Sequence, residues 1–338
     1  MSSTPDGREL TPVAGPRCNK RNLTPVAVAI WVPRAFLRCH SCERDSFRCL
    51  RKLIATVLLI APLGGAVAFA AVSPTTLPLG DGKVTTSEPK RGWIYSCRPA
   101  AGGGPGAQVD GPWIQSSTWD STQKIDISGS VKWRSTTAFR TAASELKITG
   151  NALPKHRTGV FPIRTTEPAY QYDRNPNAIR AQTLAYALPS APKVTAKPTC
   201  VEMGPIGVML TGAVLFNGVD EAGRDAVAHE IQDRCHGHPQ QSGQYHYHSL
   251  SPCAAAGTSK TAHSKLVGYA LDGFGVFGLR GERGGLLTNA DLDVCHGHTH
   301  AILWRDKRTR MFHYHATLEY PYAIGCFRGT PVRTGPVG

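Results

Sequence analysis

An internal repeat narrows the fold more than any other feature of this chain. Ile206-Gly207-Val208-Met209-Leu210-Thr211-Gly212-Ala213-Val214-Leu215-Phe216 aligns with Val267-Gly268-Tyr269-Ala270-Leu271-Asp272-Gly273-Phe274-Gly275-Val276-Phe277 at a constant offset of 61, and the Cys of each C-H-G-H follows at an offset of 60. Each copy reads as a strand, a glycine turn, a strand, a connection, C-H-G-H, an H-x-H strand and a closing cysteine. The expected fold is mainly β: a duplicated β unit, residues 205–253 and 266–326, whose two pseudo-symmetric copies form a sandwich or barrel-like domain with little helix. With 35 Gly, 25 Pro and 18% charged residues, the composition points the same way, to loop-rich β structure. One helical stretch is expected at Ala222 to Ile231.

The repeat carries the histidines. Eleven of thirteen fall between His229 and His315, and eight form four H-x-H pairs: His236/His238, His246/His248, His296/His298 and His313/His315, with His300 extending the third. On an extended chain His246 and His248 share one face about 6 to 7 Å apart, while Tyr245 and Tyr247 share the other. One face can then pack while the other coordinates a metal, for which imidazole is a borderline donor. In both H-G-H pairs the central glycine points to a turn or a close backbone approach. Two copies of one unit pack about a pseudo-twofold axis, so the four pairs are expected to converge between the copies, neither copy making the site alone.

Tyr245-His246-Tyr247-His248 resembles the motif for which the YHYH-domain family of exported bacterial proteins is named. The likeness runs from about Gly150 to Gly329 through G-N-A-L-P-K-H-R-T-G-V-F-P at 150–162, D-R-C-H-G-H-P-Q at 233–240, V-G-Y-A-L-D-G-F-G-V-F-G at 267–278 and H-Y-H-A-T-L-E-Y-P-Y-A-I-G-C-F-R-G at 313–329. It implies no particular chemistry, since the name describes a motif. Phe312 stands where the second copy should have its first Tyr, so that position is expected to pack.

Ahead of the repeat, residues 1–47 have no sustained periodicity and read as a disordered leader. Cys39-His40-Ser41-Cys42 within it lacks a second half at zinc-finger spacing. Residues 48–72 read as a signal peptide or signal anchor. Arg44, Arg48, Arg51 and Lys52 precede an apolar run, and Ala68-Phe69-Ala70 is a small-x-small cleavage pattern. The apolar run, residues 53–72, is long enough to span a bilayer if uncleaved. Either way the remainder is secreted, periplasmic or at the cell surface. In that compartment Cys97, Cys200, Cys235, Cys253, Cys295 and Cys326 are expected as three disulfides. Repeat symmetry favours 235 to 253 and 295 to 326, with 235 to 295 and 253 to 326 as the alternative. Cys97 to Cys200 remains by elimination. A thiolate among the ligands would instead give a soft S/N site.

Residues 73–148 are expected as a small β module, with Lys124 to Trp133 as a half-buried strand and Trp93, Trp113, Trp119 and Trp133 filling a core rather than a carbohydrate platform. Residues 149–329 form the YHYH domain and 330–338 a tail. Beyond residue 72 the chain has 28 Lys/Arg against 20 Asp/Glu. That surplus allows contact with anionic surfaces of the cell envelope. Nucleic acid is not indicated, for no basic cluster or aromatic stacking motif is present. Gly273-Phe274-Gly275-Val276-Phe277-Gly278 matches G-x-G-x-x-G but is followed by a poor helix. His229-Glu230 begins like a zincin helix, yet Asp233 stands where the second His belongs.

Eight paired imidazoles exceed what one tetrahedral zinc needs. The expected ion is copper first, then zinc, then iron, copper heading the affinity order. Glu230, Asp233, Asp272, Asp293 and Glu319 are candidates to accept the outward imidazole N–H groups. Three functions follow: an extracytoplasmic metal-binding protein, a metalloenzyme of oxidase or hydrolase type at the same site, or a disulfide-stabilised β interaction domain with structural histidines.

Overall fold

A computed structural model of the chain describes residues 72–100, 102, 107, 109–142, 144–254 and 260–333. The expected leader and the apolar run up to residue 71 lie outside them. Among the described residues no helix is long and apolar enough to cross a membrane.

The fold is mainly β, as the glycine turns and strand-like runs require. Five two-residue strands, β1 (Leu77–Pro78), β2 (Val84–Thr85), β3 (Ile94–Tyr95), β4 (Ile114–Gln115) and β5 (Thr118–Trp119), make a sheet of order β1-β5-β4 and a parallel pair β2-β3. Three longer ones, β6 (Ala138–Ala142), β7 (Glu145–Gly150) and β8 (Leu184–Pro189), form an antiparallel sheet in chain order. Lys124 to Trp133 is not a strand, contrary to expectation. It makes only isolated bridges at Ile127 and Val131, because Ser128-Gly129-Ser130 interrupts its pairing with a positive φ at Gly129. Trp113 and Trp119 are buried in the same apolar cluster as the strands of the repeat, and Trp113 Nε1 donates to Ala228 O at 2.9 Å.

The repeat builds one eight-stranded sheet. Its strands are β9 (Pro205–Met209), β10 (Val214–Phe216), β11 (Gly237–Pro239), β12 (Tyr245–Tyr247), β13 (Leu266–Ala270), β14 (Gly275–Phe277), β15 (Gly297–Trp304) and β16 (Lys307–His315). Their order is β11-β12-β10-β9-β13-β14-β16-β15. In each half the hairpin pairs antiparallel, its second strand runs parallel to the H-x-H strand, and the C-H-G-H strand closes antiparallel. The halves meet through antiparallel β9 and β13. The order is linear, with β11 and β15 at its ends, so the sheet is open rather than closed into a barrel.

This order separates the two H-x-H strands. From β12 to β16 are five strand steps, roughly 24 Å across a sheet. The expected helix is a single turn, α1 (Ala226–His229), capped by Asp225, whose side chain accepts from Val227 and Ala228 N–H. Three disulfides join Cys97 to Cys200, Cys235 to Cys253 and Cys295 to Cys326. Two of them thus lie within a copy, each fastening the C-H-G-H turn to the chain beyond the H-x-H strand.

Candidate metal centres

Each C-H-G-H begins in a turn held by the preceding aspartate. Asp233 Oδ1 accepts from Cys235 N and Gly237 N, and Asp293 Oδ1 accepts from Cys295 N and Gly297 N. The turn puts His236 and His296 in the left-handed region, at φ 59° and 75°. The alternation of an extended chain therefore starts only after them, and these two do not share a face with His238 and His298. His236 is exposed, and buried His296 bonds Thr317 Oγ1 through Nε2 at 3.0 Å. Both glycines are demanded by close approach: a Cβ on Gly237 would lie 2.3 Å from the Tyr245 ring, and one on Gly297 2.3 Å from the Phe312 ring. The first aromatic of each strand thus packs over the glycine of its neighbour.

From there the strands act alike. His238 stands opposite His246 in the β11–β12 register, and His298 opposite His313 in β15–β16. His248 and His315 follow two residues on, completing three imidazoles in each half. The expected single site between the copies is not what forms. The rings gather in two groups, His238, His246 and His248 in one half, and His263, His298, His300, His313 and His315 in the other, with ligand atoms within 4.8 Å of one another in each. The reason is the strand order: the hairpins occupy the middle of the sheet, and each H-x-H strand lies outside its own hairpin.

In the first centre His246 Nδ1 lies 3.1 Å from Gln244 O and His248 Nδ1 2.5 Å from Asn217 O. A carbonyl only accepts, so both Nδ1 atoms carry the proton and both Nε2 atoms carry a lone pair. Those Nε2 atoms face each other at 3.0 Å. Glu230, at the end of α1, brings Oε2 to 3.2 Å from His248 Nε2 and 3.5 Å from His238 Nε2. Glu230 Oε2 and both nitrogens of His238 are buried without a hydrogen bond. Phe216 stacks on His246 with ring centroids 3.9 Å apart.

The second centre repeats the pattern at equivalent atoms. His313 Nδ1 lies 3.1 Å from Met311 O, and His315 Nδ1 2.6 Å from Gly278 O, the residue 61 after Asn217. His263 Nδ1 lies 2.7 Å from Ser264 O, and His300 Nδ1 3.3 Å from Ala301 O. Their Nε2 atoms converge: His263 to His315 at 3.1 Å, His263 to His313 at 3.3 Å, His300 to His298 at 3.0 Å. Where the first half has Glu230, this half has His263 and His300.

Burial, with the neighbouring imidazoles adding to it, holds His238, His246 and His315 well below the usual imidazole range. The same cause depresses His298 to about 4 and His313 to about 2. Imidazoles held neutral keep the lone pair that a metal ligand needs. Donors at about 2.0–2.1 Å from a tetrahedral ion stand about 3.3 Å apart, which matches the observed Nε2 separations.

Residues 185–289 match the family model described as YHYH protein. Over that stretch the chain is similar to the YHYH family. Comparison with curated proteins and with solved structures returns no match. The matched stretch contains the first centre and His263, and it ends before His298.

The tyrosines of the YHYH motif pack, both fully buried. Tyr245 OH donates to Asp233, Tyr247 OH bonds Thr211 Oγ1 and His156 Nε2, and Tyr314 OH donates to Asp272 at 2.6 Å. With Phe312 in place of a first Tyr, Asp293 pairs instead with Arg328 at 3.0 Å. Of the five carboxylates expected behind the imidazoles, only Glu230 reaches a centre. Asp233 and Asp293 hold the turns, Asp272 accepts from Tyr314, Phe274 and Gly329, and Glu319 accepts from Asn289 N. Backbone carbonyls take the outward N–H groups instead, which side-chain patterns do not reveal.

His263 went unsignalled in the sequence because it lies outside any H-x-H pair, although its place shortly before β13 is visible. His156 lies near the Cys235–Cys253 sulfurs, but a disulfide offers no thiolate. His229 pairs with Asp81 and Asp110, 3.0 Å from each.

Proposed function

We propose that this protein binds transition-metal ions at two imidazole centres, one in each half of its YHYH domain. The observation that carries this reading is the set of Nε2 lone pairs of His246 and His248, and of His263 with His313 and His315, aimed at one another across 3.0–3.3 Å while each Nδ1 proton is spent on a carbonyl. Two such acceptors repel unless a cation lies between them. A purely structural histidine network would alternate donors and acceptors, and here the donors are spent on carbonyls. The buried, unpaired Glu230 Oε2 and His238 nitrogens supply the same argument, since buried polar groups normally find partners.

His238, His246, His248 and Glu230 make a three-nitrogen, one-oxygen set that suits zinc. The all-imidazole second set suits copper, which leads the affinity order for such donors, with zinc next. Three disulfides fit an oxidising compartment, and we place the protein outside the cytoplasm, exported by residues 48–72. Its surplus of basic residues favours contact with anionic envelope polymers. Elemental analysis of protein purified from that compartment tests the reading. Two equivalents of copper or zinc per chain are expected, and the His246→Ala/His313→Ala variant should retain none. Protein that stays metal-free after exposure to both ions overturns it.

A further inference from the structure

The two centres share three imidazoles at equivalent positions and differ in everything around them. In the first, His238, His246 and His248 are 3%, 2% and 5% exposed. Phe216 covers His246, and the fourth donor, Glu230 Oε2, is itself buried. Four protein donors fill a tetrahedral shell, the arrangement of ions that serve the fold. Behind Glu230, the Lys124 ammonium donates to Glu230 O at 2.6 Å, with further bonds to Val227 O and Gln232 Oε1. Glu230 therefore sits on a stretch of backbone pinned from behind, and no exposed side chain closes this centre.

The second centre has five imidazoles, one more than a tetrahedral ion takes. His313 and His315 are fully buried, but His263 and His298 are partly exposed. The outermost contact is with a surface carboxylate: Glu282 Oε1 lies 3.2 Å from His300 Nδ1 on a side chain 59% exposed. An imidazole can leave this shell while three or four remain, and an incoming ligand can enter at the edge where His263 and His298 meet solvent. Exchange at the first centre instead requires a closed shell to lose a donor before anything can enter.

We infer that the centres divide the work: the first holds its ion as part of the fold, and the second exchanges its ion with small donor ligands or chelating carriers from solution. The inference rests on the metal-binding reading above. The second centre has two histidines in place of one carboxylate and two partly exposed rings at its edge, which suits a delivery or reaction position rather than a structural one. Asp291, which occupies about the place of Glu230 in the second half, has its Oδ2 engaged by Thr288, whose N–H and hydroxyl both donate to it.

The test uses the full chain loaded with Zn(II) and mixed with excess 4-(2-pyridylazo)resorcinol, release being followed by absorbance. Two phases of one equivalent each are expected, separated by at least about tenfold in rate, about 1.4 kcal/mol in barrier. His298→Ala and His263→Ala should each remove or further speed the fast phase only. Glu230→Gln, which keeps the shape of the side chain, should remove or speed the slow phase only. Circular dichroism verifies that each variant is folded. Two equivalents leaving in one phase, or a fast phase that responds to Glu230→Gln, overturn the division of work. A single bound equivalent overturns it too, yet leaves metal binding standing, whereas no bound zinc or copper overturns both.

Discussion

His238→Leu separates a metal ligand from a structural histidine, because the two roles predict opposite signs in the metal-free protein. Both ring nitrogens of His238 are buried without a hydrogen bond, and Glu230 Oε2, 3.5 Å from its Nε2, is equally unpaired. Each unsatisfied buried group costs about 1–3 kcal/mol, so the two nitrogens cost the apo fold about 2–6 kcal/mol. Leucine has nearly the same volume, and such a swap costs below about 1.5 kcal/mol in packing. Metal-free His238→Leu should therefore be more stable than the parent by about 1–4 kcal/mol. At about 2–4 °C per kcal/mol for a domain of this size, its Tm should rise by several degrees. With metal the order reverses, since an ion at a thousandfold excess over Kd stabilises the parent centre by about 4 kcal/mol and the variant lacks one donor. Thermal unfolding followed by circular dichroism, with EDTA and with added Zn(II), reads the crossing directly. A variant less stable than the parent in EDTA by more than about 2 kcal/mol, with no metal-dependent difference, would refute the argument.

Acid should weaken the metal-free fold. His296, His298 and His313 are held by burial at about 3, 4 and 2. As pH falls below about 6.5 the unfolded chain therefore binds protons that the folded chain refuses, and stability drops by up to about 1.4 kcal/mol per pH unit per histidine. Urea titrations in EDTA between pH 7 and pH 4 should show a slope of at least two protons, and a flat profile would count against buried neutral imidazoles. Tyr314→Phe removes a hydroxyl that donates to Asp272 and accepts from Arg328 N. It should cost about 1–3 kcal/mol in urea unfolding while metal stoichiometry stays at the parent value. Cys295→Ser/Cys326→Ser opens a 31-residue loop and should lower stability by about 2–5 kcal/mol. Peptide mapping of the unreduced parent should recover the 295–326 linkage.

Much of this arrangement is legible in the chain itself. The offset of 61 foretells two halves of matching strand order, and the pairing of Tyr and His at period two foretells which face packs and which faces the site. The closing cysteines foretell disulfides within each copy. The central glycine of each H-G-H foretells a turn, but not that the turn starts at the preceding histidine, where an aspartate bends the chain and takes His236 and His296 away from the donor face. Glu230 was legible only as one of five carboxylates, since sequence cannot tell a turn cap from a ligand.

Local pattern determined the donors, because a strand's side-chain alternation is a property of consecutive residues. Tertiary structure decided how many centres those donors make. Pairing β9 with β13 puts the sister hairpins at the middle of the sheet and drives β12 and β16 apart, so each half gathers its own imidazoles. The same folding swings His263 in from a connecting segment and leaves Glu230 in one half without a counterpart in the other. Those long-range choices follow from how whole strands bury their apolar faces, which no single stretch of the chain encodes.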